Sequence, residues 1–215
     1  MKRLGYLLFA VLAITLLLGG DAFATGVEGG GDGSYYFVTY YSNANTTGAP
    51  DATLRIVNDG GAACIADGDS ICIEDGSELR WAAIYVFDDS QEMRSCCACQ
   101  ITSDGLLSES VNKELTSNEF TGRGEMTRGV IKVISSASSD PTAPVLATGL
   151  RGWMTHIQAT TNVPEKSPWF VTEDALADSN LSATELANLG TLCSYGLTIG
   201  SGYGYCPCTV EDYDF

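Results

Sequence analysis

Eight cysteines, all lying beyond an apolar N-terminal run, constrain this chain more than any other feature of its 215 residues. They fall in three groups: Cys64 and Cys72; Cys96, Cys97 and Cys99; and Cys193, Cys206 and Cys208. An even number of cysteines in an exported chain points to disulfides, because thiols oxidise outside the reducing cytosol. On the order of a hundred pairings are formally open to eight cysteines, and bridge geometry removes most of them. Neighbours such as Cys96 and Cys97, or Cys206 and Cys208 around Pro207, are strained partners for each other. The economical solution joins Cys64 to Cys72 across the turn Ala66-Asp67-Gly68-Asp69-Ser70 and ties the three central cysteines to the three C-terminal ones. Closing a loop of roughly a hundred residues is worth up to ~4 kcal/mol in the chain-entropy account. The same cysteines could bind a metal as thiolates, but the spacings are vicinal or Cys-x-Cys, whereas structural zinc prefers about two to four residues between ligands. Export also favours oxidation, so the expectation for the exported protein is disulfides, with no metal and no cofactor.

The export signal itself has three parts. Met1-Lys2-Arg3 is a positive start, Leu4 to Leu18 is apolar except for Gly5 and Thr15, and Ala22-Phe23-Ala24 is a small-x-small cleavage site; together they read as a signal peptide over residues 1–24. A membrane-spanning helix would need roughly 20 apolar residues, and this run is shorter. The expected product is secreted or held at the cell surface, with no membrane attachment after cleavage.

Composition narrows the partners. Eleven basic against 27 acidic residues leave a net charge of −16, which repels nucleic-acid phosphates and anionic lipid alike. An apolar content of 45% is that of a folded domain.

Residues 25–33 are glycine-rich with a single sizeable apolar side chain, and are expected to form a flexible leader. One domain is expected over residues 34–208, followed by an acidic tail at 209–215. Tyr35, Tyr36, Phe37, Val38, Thr39, Tyr40 and Tyr41 carry no charge and read as a strand apolar on both faces. Thr53–Val57, Trp81–Phe87 and Gly129–Ser135 are further strands, set off by Asn58-Asp59-Gly60-Gly61 and Asp88-Asp89 turns. Leu150–Gln158 fits both periodicities, and its flanking glycines and threonines favour a strand. Gly196–Cys206 is expected to end a sheet at an edge. Ser182-Ala183-Thr184-Glu185 is a capping box, followed by Leu186, Leu189, Leu192 and Cys193 at helical intervals. Short strands with Gly, Asn and Asp turns and one helix in the C-terminal half describe a mainly β, antiparallel β-sandwich with several disulfides.

Few residues suggest chemistry. His156 is the only histidine, no Gly-x-Ser-x-Gly elbow is present, and His156 is expected to be a half-exposed or hydrogen-bonded strand residue without a catalytic role. Asp67 and Asp69, Glu74 and Asp75, Asp88 and Asp89 with Glu92, and Glu173 and Asp174 are carboxylate pairs of the kind a glycosidase needs, but in so acidic a chain such pairs arise by chance. Asp67, Asp69 and Ser70 lack the further oxygens of a calcium loop. Asn45-Thr46-Thr47 and Asn180-Leu181-Ser182 match the glycosylation sequon.

Ala83–Met93 ahead of Cys96-Cys97-Ala98-Cys99, then Gly129–Ile134, Leu150–Gln158 and the helix carrying Leu192-Cys193, resemble a group of uncharacterised secreted bacterial proteins. The resemblance runs over about residues 50–208 and implies a bacterial source and an exported domain, without assigning an activity. The reading that follows is a non-enzymatic extracellular structural protein, a filament or surface-layer subunit whose strand at Tyr35, Tyr36, Phe37, Val38, Tyr40 and Tyr41 serves self-association into a homo-oligomer. The competing reading is a carbohydrate-binding module or glycoside-cleaving hydrolase with Trp81, Trp153 and Trp169 as platforms.

Overall fold

A segment that is apolar on both faces is satisfied only between two layers, and the central strand Arg80–Asp88 lies in such a setting. The computed structural model describes residues 34–44, 48–60, 63–65, 71–73, 79–116, 126–160, 168–199, 204–206 and 208, with backbone alone for 63–65, 71–73 and 204–205. The expected signal peptide and leader, the sequon at Asn45, the Asp67–Asp69 and Glu74–Asp75 pairs and the expected acidic tail lie outside the described residues.

In chain order the strands are β1 (Tyr36–Ser42), β2 (Thr53–Asn58), β3 (Ala63–Ile65), β4 (Ile71–Ile73), β5 (Arg80–Asp88), β6 (Met93–Ile101), β7 (Leu106–Ser110), β8 (Arg128–Ser136), β9 (Leu150–Ala159), β10 (Trp169–Ala175), β11 (Ala177–Asp178) and β12 (Gly204–Tyr205). A π-helical turn, Val111–Leu115, follows β7, and one α-helix, α1, spans Ala183–Thr198. Six strands form one sheet in the order β11-β1-β8-β5-β6-β12, and four form the second in the order β10-β9-β2-β7. All neighbours are antiparallel except β12, which runs parallel to β6. The protein is thus mainly β, with two antiparallel sheets and one short helix, as the strand pattern implies.

The main core lies between the sheets. Phe37, Tyr41, Ile84, Val86, Ile131 and Val133 of the six-stranded sheet meet Leu54, Ile56, Leu107, Met154 and Ile157 of the four-stranded one. Each such side chain contributes roughly 1.5–3 kcal/mol on full burial. A second cluster covers the outer face of the larger sheet, where Tyr36, Ala83, Tyr85, Cys96 and Ile134 pack under Leu189 and Cys193 of α1. Gly190 lets that helix come close, since a Cβ there would stand 2.3 Å from the Thr142 carbonyl oxygen.

Ser182 caps α1 as expected, its hydroxyl accepting from the Glu185 amide at 3.1 Å. The helix departs from expectation in two respects. It continues through Gly196, Leu197 and Thr198, which were read as strand, and the edge strand shrinks to Gly204–Tyr205. Leu192, read as part of the packed stripe, is 44% exposed, because the residues that meet the sheet are Leu189 and Cys193 with Leu186 beside them. Among the described residues no helix is long and apolar enough to cross a membrane.

Candidate functional site

β6 brings the cysteines to both faces of one sheet. Successive side chains on a strand point to opposite faces, so Cys96 reaches outward to Cys193 on α1, while Cys97 and Cys99 face the inter-sheet core and meet Cys206 and Cys208. The three Cα–Cα separations are 5.7, 5.4 and 5.3 Å, within the usual range for a bridge. The expected tie between central and C-terminal cysteines is therefore present, pairing first with first, second with second and third with third. For Cys64 and Cys72 the described backbone places the two residues directly opposite each other in the β3-β4 hairpin. The two inner bridges are adjacent, with the Cys97 and Cys99 sulfurs 3.8 Å apart.

β1 pairs with β8 from Tyr36 to Ser42 and, on its other side, with β11 at Phe37 and Val38 alone. Tyr36, Phe37 and Tyr41 are buried, Tyr35 and Val38 are partly buried, and Tyr40 is half exposed. The strand thus lies within its own chain's sheet, and its outer half, from Thr39, has no strand partner on the β11 side among the described residues. Gly129 stands opposite Tyr41, and a Cβ there would lie 2.7 Å from the Tyr41 ring, so the glycine makes room for that ring in the core.

His156 departs from expectation. It is not half exposed: its relative accessibility is 0%. It sits on β9 with its ring stacked on Tyr40 of β1, centroids 4.0 Å apart and planes 14° from parallel, so one aromatic contact joins the two sheets. Its Nε2 lies 3.4 Å from a carboxylate oxygen of Asp174 on β10, and neither ring nitrogen has a hydrogen-bond partner. Burial penalises the imidazolium and lowers the pKa below its ordinary 6.5, with Asp174 acting in the opposite direction. Without a hydroxyl bonded to the ring, the arrangement lacks the nucleophile-to-base link of acyl-transfer catalysis.

The carboxylate pairs are occupied in other ways. Asp88 accepts from the Ser90 and Glu92 amides, both at 2.9 Å, and from Arg94 Nε at 2.6 Å. Burial works to raise its pKa, but these donors outweigh it and hold the group below the usual carboxylate value. Asp89 pairs with Arg128 at 3.0 Å. Glu173 pairs with Arg55 at 2.6 Å, whereas its neighbour Asp174 approaches His156, so that pair diverges. Of the candidate platforms, Trp153 is 37% exposed, while Trp81 and Trp169 are partly buried.

A concavity between α1 and the outer face of the larger sheet was not foreseen. It encloses about 610 Å³ and is lined by Phe87, Val130, Lys132, Glu185, Leu189 and Leu192, among others. Lys132 pairs with Glu185 and lies 5.0 Å from the Phe87 ring centroid. Tyr36 donates to the same carboxylate at 3.4 Å, and burial followed by the Glu185 charge pushes its hydroxyl pKa up to about 12. The Glu185 carboxylate, expected to complete the capping box, is thus drawn to the sheet. The signal for this cleft was a lone lysine in the apolar run Val130–Ile134, whose partner was hidden in a helix cap.

No protein-family model, curated protein or solved structure matches this chain.

Proposed function

We propose that this is a non-enzymatic extracellular structural protein whose N-terminal aromatic strand mediates self-association. The observation that carries the reading is the position of β1: the first strand among the described residues, next to the edge of its sheet and backed beyond Val38 by no further strand among the described residues. Such a strand can make the same contacts with a neighbouring copy's β8 as with its own, because exchange changes connectivity and not the groups buried. Disulfides tie Cys193 of α1, Cys206 and Cys208 to β6, at a distance from β1, so they do not hinder its exchange. The bacterial export suggested by the first residues and by the sequence resemblance fits this role.

The test is a pair of cysteines at Phe37 and Val133, which face each other across β1 and β8. Under oxidising, non-reducing conditions a donated strand gives a ladder of covalent oligomers, and electron microscopy of the native protein shows filaments or sheets. Covalent monomer alone, together with a single monomeric species in light scattering across a wide concentration range, would overturn the reading. The competing reading, a carbohydrate-binding module or hydrolase, draws support from the cleft beside Lys132 and Glu185 and from the exposed face of Trp153. Retention of the protein on an insoluble polysaccharide, lost in Trp153→Ala, would favour it.

A further inference from the structure

We propose that the cleft between α1 and the outer face of the larger sheet binds an uncharged saccharide chain. Phe87 of β5 and Val130 of β8, directly opposite each other in the sheet, form its floor. Glu185, Asn188, Leu189 and Leu192, at helical intervals along one face of α1, form its wall, and Gln91 reaches it from the turn between β5 and β6. A volume of about 610 Å³ is that of a small-molecule site. Leu192 packs into neither hydrophobic core and keeps its apolar side chain 44% exposed beside the cleft. Gln91 holds φ at 67°, a left-handed conformation that suits glycine and strains a larger residue. A glycine would serve that turn without strain, but it would take the carboxamide out of the cleft. Asp88 orders the turn by accepting from the Ser90 and Glu92 amides, so Gln91 is presented by a fixed backbone.

The chemistry of the lining selects the occupant. Neither the Gln91 nor the Asn188 carboxamide makes a side-chain hydrogen bond among the described residues, and each offers both donors and an acceptor. The charges beside them are matched already, Lys132 with Glu185 and Asp88 with Arg94. An anion would meet Glu185 and Asp88, and a cation would have to displace Lys132, so the fitting ligand carries no net charge. A sugar ring has a face of C–H groups for Phe87, Val130 and Leu192, and a rim of hydroxyls that donate and accept as carboxamides do. An extended peptide would seek main-chain pairing at a sheet edge, whereas β5 and β8 are each paired on both sides. The site uses neither β1 nor Trp153 of β9, and it stands whether or not β1 is exchanged between copies.

The test titrates cellotriose and, separately, triacetylchitotriose into the isotope-labelled, oxidised chain and follows its amide signals by NMR. The side-chain amides of Gln91 and Asn188 should shift saturably with at least one of the two, with an affinity that added salt leaves unchanged. Gln91→Ala and Asn188→Ala should each weaken binding at least fivefold, and Leu192→Asp, at an exposed position, should abolish it. Gln91→Gly should raise the thermal midpoint while weakening binding as much as Gln91→Ala, a split that a purely structural residue would not give. Trp153→Ala should leave the titration unchanged. Absence of shifts at the cleft with both sugars would overturn the proposal. So would binding that survives Gln91→Ala combined with Leu192→Asp, binding lost only in Trp153→Ala, or equal shifts from trialanine, which would assign the cleft to peptide.

Discussion

In the six-stranded sheet, β5 is buried at seven of its nine positions and is covered on both faces, whereas in the four-stranded sheet β2 and β7 alternate between a buried and a wetter side and β10 is exposed beyond Trp169. The larger sheet carries all three described disulfides; the smaller carries none among the described residues and meets its partner through packing and the Tyr40–His156 stack, while its ion pairs Arg55–Glu173 and Arg151–Asp59 lie within it. Covalent staples thus tie α1 and the segment at Cys206 and Cys208 to the larger sheet, at sequence separations of 97 and 109 residues, where loop closure costs the unfolded chain most entropy. The smaller sheet connects strands by hydrophobic contact, which suffices where β2 and β9 lie at the centre of the core.

The comparison is broken most directly by removing a staple. Cys97→Ala with Cys206→Ala should lower unfolding stability by about 2–5 kcal/mol, read as the fall in urea midpoint. An unchanged midpoint would mean that packing alone holds the larger sheet. Next in size is the core of the smaller sheet: Ile56→Ala, at a site 1% exposed, should cost about 2–5 kcal/mol by lost burial and a residual cavity. The loss should be similar with the disulfides oxidised or reduced, if the two sheets are held by independent means; double-mutant bookkeeping between Ile56→Ala and the Cys97, Cys206 pair tests that.

The contact between the sheets comes third. His156→Ala should cost about 2 kcal/mol, since it empties a fully buried site and leaves Tyr40 without its stacking partner. The pH dependence has a definite sign. Because the folded pKa of His156 lies below 6.5, the unfolded chain takes up its proton first as the medium is acidified. This group therefore removes stability as pH falls from 6.5 through the folded value, and contributes no slope well above 6.5. His156→Phe should flatten that part of a stability-against-pH curve, and an unchanged slope would show that other groups carry it. The smallest effect belongs to the surface: Arg55→Met should change stability by about 0–1 kcal/mol, fading with added salt, because both Arg55 and Glu173 are well solvated.

Legibility in the sequence followed burial. Trp81–Phe87 announced itself because two buried faces demand an unbroken apolar run, and Tyr35–Tyr41 and Gly129–Ser135 did so by their aromatic and β-branched content; they match β5, β1 and β8 to within a residue or two. Ser182 marked the start of α1, since a cap is a local chemical requirement. β10 gave little sign, because its Thr172-Glu173-Asp174 stretch faces water and is paired on one side only. His156 misled, because its environment is made by Tyr40, more than a hundred residues away along the chain, and by an adjacent strand that had not been recognised.

By itself the sequence determined the β class, the places where β1, β2, β5, β8, β9 and α1 begin to within a residue, and the grouping of cysteines that made a tie between centre and C-terminus economical, because these depend on local propensity, side-chain period and the geometry of neighbouring thiols. Only the tertiary structure decided which cysteine meets which, that the Cys97 and Cys99 sulfurs share a face while Cys96 turns away, that Lys132 and Glu185 meet at the cleft, and that His156 is dry. Those outcomes depend on strand register and on which sheet edge meets which, and long-range pairing in a β-sandwich is settled by the packing of the whole core rather than by any window of the chain.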